Sequence, residues 1–140
     1  MAKLNYECMR DTLIFLENNL DYIDDSTAFK ELNWFEVTAS PELLVKYSEK
    51  EILYVLELLR DGGFIEVPTF RRLPDGNILH FIITNITWNG HEFLATIKND
   101  TVWKRTKEKL KEAGSVAMDT FLFVAKNCAT SYFKEKLGLK

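Results

Sequence analysis

His91 is the side chain that most invites a catalytic reading, since an imidazole can move protons near neutral pH. It lies in "NITWNGHEFLATIKNDTVWKRTKEKL", residues 85–110, between Trp88 and Trp103 and ahead of a run of lysines. A histidine mechanism needs a nucleophile or substrate proton in reach and an acceptor that orients the ring. The other histidine, His80, falls on a segment that reads as a hairpin strand, and neither Cys8 nor Cys128 sits in an activating motif. A metal centre needs three or four ligands, and the sequence offers no H-x3-H, C-x2-C or H-E-x2-H spacing. The expectation is a non-enzymatic chain with no catalytic residue, no metal and no cofactor. His91 then belongs to the first turn of a helix, packing on a hairpin strand or bonding to backbone, with a phosphate contact as the alternative.

The remaining chemistry is that of binding. Trp88 and Trp103 could stack on nucleic-acid bases. Trp103 lies one heptad before Leu110, however, which places it in a core. Trp34 and Phe35 stay open between the two roles. The cations that could meet phosphate are Arg71, Arg72 and neighbouring Asn77 at a hairpin tip, Lys104 and Lys107 in the lysine run, and Lys50 and Arg60 on a central helix. Lys104, Lys107 and Lys111 share one helix face with Glu108 among them, a pattern equally suited to plain solvation.

These residues need elements to hold them. Tyr6, Met9, Leu13, Leu16 and Leu20 recur at helical spacing over residues 5–20, with Asn5 as N-cap. Acidic "DYIDDSTAFKEL" lacks a period and reads as loop with a short helical turn. "NWFEVTA", residues 33–39, is aromatic and β-branched and suits a short strand. In "SPELL", Ser40 can cap and Pro41 fits the first helical position. In "YSEKEIL", Ser48 and Glu51 have capping-box spacing ahead of Ile52, Val55, Leu56 and Leu59, and Gly62-Gly63 stops that helix. "FIEVPTF" and "NILHFIIT" flank Pro74-Asp75-Gly76, so they form a hairpin, with Pro68 marking an edge strand or a bulge. Thr87 caps a helix carrying Phe93, Leu94 and Ile97. Asn99-Asp100-Thr101 re-caps a second helix that runs to about Gly114 with Val102, Trp103, Thr106 and Leu110 on one side. Gly114-Ser115 stops it, and a last helix from Val116 to about Leu137 buries Phe121, Val124, Ala125, Cys128 and Tyr132.

Helix, strand, helix, helix, β-hairpin wing is the order of a winged helix-turn-helix, here with a C-terminal helical extension. The expected fold is α+β, mainly α. It forms a single domain over residues 1–140, with a winged-helix core at 1–86 and C-terminal helices at 87–140. Length and composition agree, with 140 residues, 46% hydrophobic and 28% charged. No apolar run is long enough to span a membrane, and the first residues lack the apolar region of a signal peptide, so a cytoplasmic protein is expected. The two cysteines allow a long-range disulfide, but buried free thiols suit a reducing cytosol. Net charge is −3, with residues 1–66 at −8 and residues 67–140 at +5. Such polarity suits a partner for an acidic surface, oriented self-association, or solvated helix faces.

Three segments carry a resemblance: "KLNYECMRDTLIFLENNL", "YSEKEILYVLELLRDGGFI" and "ITNITWNGHEFLATIKNDTVWKRTKEKLKEAGSVAMDTF". The order IT-x2-GHEFL, then VW-x2-TK-x2-L, then G-S before the last helix is its most specific part. Together they resemble the small bacterial and prophage proteins grouped as domain of unknown function twenty-five thirteen, over most of the chain outside roughly residues 21–45. The resemblance implies a winged-helix-like fold in bacterial or phage cytoplasm. It implies no activity and carries over no catalytic or ligand residue.

The expected function is a winged-helix-like DNA-binding or transcription-related regulator, reaching DNA through the wing and the basic C-terminal half. The alternative is a protein–protein interaction module or adaptor, working as a homodimer without DNA. The second motif helix favours the alternative, because Lys50 and Arg60 stand against Glu49, Glu51, Glu57 and Asp61 where phosphates would lie.

Overall fold

In the computed structural model, residues 4–111 and 116–138 are described. The chain is mainly helical with small antiparallel sheets, and it divides into two compact units, residues 1–91 and 92–140.

In the first unit, helix α1 (Tyr6–Asn19) begins where the Asn5 side-chain oxygen accepts a hydrogen bond from the Cys8 amide at 3.0 Å. Its inner face is Cys8, Met9, Thr12, Leu13 and Leu16, all buried at helical spacing. Acidic residues 21–31 form no helical turn. They fold into a hairpin-like loop closed by the Tyr22–Phe29 bridge, with the two rings stacked at 4.7 Å.

Strand β1 (Leu32–Asn33) is much shorter than its composition suggests, because helix α2 (Trp34–Thr38) starts at once. The Glu36 carboxylate accepts from the Asn33 amide at 2.8 Å, a local bond that favours a helix start over an extended chain. Val37 and Thr38 turn inward, so a helical period overrides β propensity over residues 33–39. Helix α3 (Pro41–Leu44) has Pro41 in its first turn, while the Ser40 side chain makes no capping bond.

Helix α4 (Glu49–Asp61) has the full capping box. Ser48 Oγ accepts from the Glu51 amide at 3.1 Å, and the Glu51 carboxylate accepts from the Ser48 amide at 3.3 Å. Ile52, Val55, Leu56 and Leu59 are buried, Gly62 ends the helix, and Gly63 supplies a φ of 75°.

Four strands follow: β2 (Ile65–Glu66), β3 (Thr69–Arg72), β4 (Ile78–Ile83) and β5 (Asn85–Ile86). The break between β2 and β3 falls at Val67-Pro68, where proline cannot donate to a ladder. Strand β4 lies between β1 and β3, leaving β3 at an edge, and β2 pairs separately with β5. Phe70 faces Phe81 and Arg71 faces His80, and the register slips between Arg71 and Arg72. In the connecting turn the Gly76 amide donates to the Leu73 carbonyl at 2.9 Å, with Gly76 at φ 90°. Phe81 and Ile83 are fully buried, so truncating Phe81 to alanine would cost about 3–5 kcal/mol.

Helix α5 (Trp88–Ile97) starts in the first unit. Thr87 Oγ1 accepts from the Gly90 amide at 3.1 Å and donates to the Gly63 carbonyl at 2.5 Å. A Cβ on Gly90 would strike the Phe64 carbonyl oxygen and the Ile86 side chain, so close backbone approach demands glycine inside this helix.

In the second unit, helix α6 (Asp100–Lys111) is capped by the Asn99 side chain, which accepts from the Thr101 and Val102 amides at 2.9 and 3.1 Å. Helix α7 (Met118–Leu137) packs on α6 through Trp103 and Phe121, 5.9 Å apart, with Phe93 also 6.0 Å from Phe121. Trp103 is thus core, as its spacing predicts. Leu110, Val124 and Tyr132 are only half-buried. The stop and restart expected at Gly114-Ser115 lies outside the described residues. Both cysteines are free and buried.

Candidate functional site

The hairpin tip and α4 bring together most of the cations that the sequence singles out, and two of them are held by the chain itself. The Arg72 guanidinium pairs with Glu57 on α4 and donates to the Gly76 carbonyl at 2.8 Å. It also lies 5.4 Å from the Phe70 ring centre. Arg60 covers the same ring at 4.0 Å and pairs with Asp61 at 3.4 Å. The Phe70 side chain is therefore flanked by two guanidinium groups, and the tip is tied to the helix by charge and by stacking. Arg71, one residue along the strand, is exposed, and no carboxylate pairs with it among the described residues. Lys50 is exposed on the first turn of α4.

Between α2, the start of α4 and the hairpin runs an open groove of about 320 Å³. Its apolar lining is Trp34, Leu53 and Ile78, and its polar lining includes Glu49, Lys50 and Asn77. Trp34, open from sequence, is half-buried against this groove, and Phe35 beside it is exposed. Lys50, Arg72 and Asn77 meet here, whereas Arg71 and Arg60 are not part of the lining.

The local charge is balanced, not basic. Glu51 is occupied by the cap and by the Asn5 side chain at 3.1 Å, Glu57 by Arg72 and Asp61 by Arg60. Residues 1–91 hold 15 acidic and 8 basic side chains, net −7, and residues 92–140 hold 6 and 10, net +4. Lys104 and Lys107 are exposed in the second unit, Lys104 beside Asp100 and Glu108, and Lys107 5.7 Å from the Trp103 ring. Their separation in sequence from the β3–β4 hairpin coincides with a change of unit.

His91 is exposed in the first turn of α5 and faces a small cavity shared with Asn85 of β5. No group of three or more metal-binding side chains occurs among the described residues, and no helix there is long and apolar enough to cross a membrane.

The altered titrations lie elsewhere, in the seam between α1 and the α3–α4 junction. Tyr47 donates to Asp11 at 2.6 Å, and Lys46 pairs with Asp11 at 3.1 Å and Glu7 at 3.4 Å. Burial raises the Tyr47 phenol far above its usual range, and the Asp11 hydrogen bond adds to the effect. The Asp11 hydrogen bond raises Lys46. Burial pushes the Cys8 thiol up to about 11, which makes it inert at neutral pH. This seam holds helices together and offers no reactive group.

Sequence reasoning missed the Glu57–Arg72 pair, because the two residues lie on different elements and nothing local links them. It also missed the groove, although "NWF" beside two turn segments is the kind of aromatic cluster that can signal one.

Proteins with related sequences place the chain in a group. The family described as "Hypothetical protein (DUF2513)" matches residues 3–116. A Haemophilus influenzae protein described as "Uncharacterized protein" is 31% identical over 98 residues, which cover 70% of this chain and 78% of its own length. No solved structure matches. The chain belongs to the DUF2513 family.

Proposed function

We propose that residues 1–91 form a winged helix that works by binding protein, without catalysis, through the groove between the wing and α4. The fold reading is supported by strand β4 lying between β1 and β3, with α2, α3 and α4 placed between β1 and the hairpin in sequence. The observation that carries the functional reading is the capture of Arg72 and Arg60 by Glu57, Asp61, Phe70 and the Gly76 carbonyl. What remains at the wing and α4 is Arg71 and Lys50 in a unit of net charge −7. A helix entering the major groove needs surplus positive charge, because phosphate contacts supply most of the nonspecific affinity. The Trp34, Leu53 and Ile78 lining instead suits an apolar side chain of a protein partner, with Lys50 and Asn77 as polar contacts at the rim.

A photo-crosslinking residue placed at Asn77 in a bacterial host tests this reading. A nuclease-resistant, protease-sensitive adduct is expected. A nuclease-sensitive adduct overturns it.

A second reading keeps DNA as the target but moves the contact to the second unit. Its support is the net charge of +4 and the exposed Lys104 and Lys107. Self-association is a form of the protein-binding reading. It is favoured by the exposed Phe123, Phe133 and Leu137 on α7. Sedimentation at high concentration decides it, since a mass of one chain excludes a homodimer.

A further inference from the structure

We propose that two copies of the chain pair antiparallel through the exposed face of α7, with Phe123 of one copy set against Phe133 of the other. The proposal deepens the self-association reading, concerns α7 alone and does not depend on the groove beside α4.

Helix α7 is apolar on two opposite sides. Phe121, Ala125 and Cys128 are buried on the side that packs within the second unit. Phe123, Phe133 and Leu137 are 68%, 43% and 68% exposed. At 3.6 residues per turn these three fall within about 80° of one another on the far side, so they form one stripe. A surface helix ordinarily turns polar residues outward, and a second apolar stripe marks a contact surface. The helix also lacks support there. Beyond Cys128 no residue of α7 is buried, and only Ala129 and Tyr132 are half-buried. Surface contacts hold this end, with Arg105 paired to Glu135 at 3.3 Å and lying 5.7 Å from the Tyr132 ring centre. A helix end with so little buried surface is marginal in water, and a packed partner would fix it.

The charges beside the stripe select a second copy as the partner and set its direction. The first turn of α7 carries Asp119, and the last turn carries Lys134 and Lys136. Asp119 and Lys134 form no ion pair among the described residues, whereas Glu135 is held by Arg105. Antiparallel pairing brings the acidic start of each helix to the basic end of the other and opposes the two helix dipoles. Parallel pairing would set Asp119 against Asp119 and Lys134 against Lys134. A partner of uniform charge would satisfy one end only. Placing Phe123 opposite Phe133 sets Lys126 opposite Thr130 and repeats the aromatic contact on both sides of the two-fold axis. The Lys126 stem can lie over the rings while its ammonium stays in water. The three apolar side chains offer roughly 300 Å² of exposed surface per copy. That lies at the low end for a specific interface, so a dissociation constant of roughly micromolar scale is expected.

Sedimentation equilibrium of the full chain, from micromolar to near-millimolar concentration, tests the pairing. A monomer–dimer equilibrium is expected for the wild type. Phe123→Gln/Phe133→Gln, changed at exposed positions, should weaken it at least about 100-fold. Asp119→Lys alone should weaken it about ten-fold, because two attractive pairs become repulsive, and Asp119→Lys/Lys134→Asp should restore it. The charge exchange reads the interface even if the phenylalanine variant fails to fold. A mass of one chain at every concentration overturns the proposal and the self-association reading together, and leaves the stripe to a different protein. A dimer kept by the phenylalanine variant, with its helix signal intact, overturns the α7 interface while self-association stands. A dimer unaffected by Asp119→Lys, or not restored by the second change, overturns the antiparallel order.

Discussion

Replacing Arg72 with alanine should unfasten the β3–β4 hairpin from α4, and the size of the effect follows from its three contacts. Arg72 and Glu57 are partly exposed, at 41% and 27%, so their ion pair contributes about 0.5–1 kcal/mol. The 2.8 Å hydrogen bond to the Gly76 carbonyl is charge-assisted and adds about 1 kcal/mol. The Phe70 ring at 5.4 Å adds about 0.5 kcal/mol. Arg72→Ala should therefore lose about 2 kcal/mol, a fall of roughly 1.3 M in the urea midpoint for a slope of about 1.5 kcal/mol/M. Glu57→Gln keeps the shape of the side chain and should lose less than 1 kcal/mol. A double-mutant cycle with these two variants isolates the pair, with an expected coupling of about 0.5–1 kcal/mol at low salt. At 1 M salt the Debye length falls to about 3 Å and most of the coupling should vanish. The assay is urea titration read from the amide cross-peaks of Phe70, Phe81 and Ile83, which report on this sheet alone. A coupling of zero at low salt, or an Arg72→Ala midpoint equal to wild type, would refute the clasp.

Two further outcomes test the packing around it. Gly90→Ala in α5 would gain up to about 1 kcal/mol from helix propensity if the site were open. The Phe64 carbonyl blocks the new Cβ and is itself held by the Thr87 amide at 3.0 Å, so a net loss of about 2 kcal/mol is expected in chemical denaturation. A stabilised variant would show the close approach to be wrong. Cys8 has its folded pKa raised from 9.0 to about 11, so the folded chain holds the proton more tightly than the unfolded one. Its contribution is fully present below about pH 9 and is lost as pH rises toward 11, amounting to about 2–3 kcal/mol. Cys8→Ala should flatten the stability profile over that window, and an unchanged slope would contradict the assignment.

Much of the scaffold is legible locally. Ser48 and Glu51 announce α4, Asn99 announces α6, and Pro74-Asp75-Gly76 announces the turn, because caps and turns are short-range hydrogen-bond patterns. Residues 33–39 mislead because aromatic and β-branched composition predicts a strand, while Asn33 and Glu36 start a helix through one local bond. Residues 21–31 are loop, as their lack of a period predicts, but in place of a helical turn they hold a single Tyr22–Phe29 bridge and stack, which leaves no periodic trace. At the candidate site, exposure was legible and pairing was not. Arg71 and Arg72 look equivalent in sequence, yet a register slip between them leaves one free and carries the other to Glu57. That difference removes one of the two cations from the hairpin tip.

The most direct test of the protein-binding reading is titration of a labelled nonspecific duplex at low salt, repeated at several salt concentrations. Any weak binding should come from the second unit, so an Arg71→Ala/Lys50→Ala variant should match wild type and Lys104→Ala/Lys107→Ala should not. Binding tighter than about 1 µM at physiological salt, lost when Arg71 and Lys50 are removed, would contradict the account and make the β3–β4 hairpin and α4 a reader of DNA.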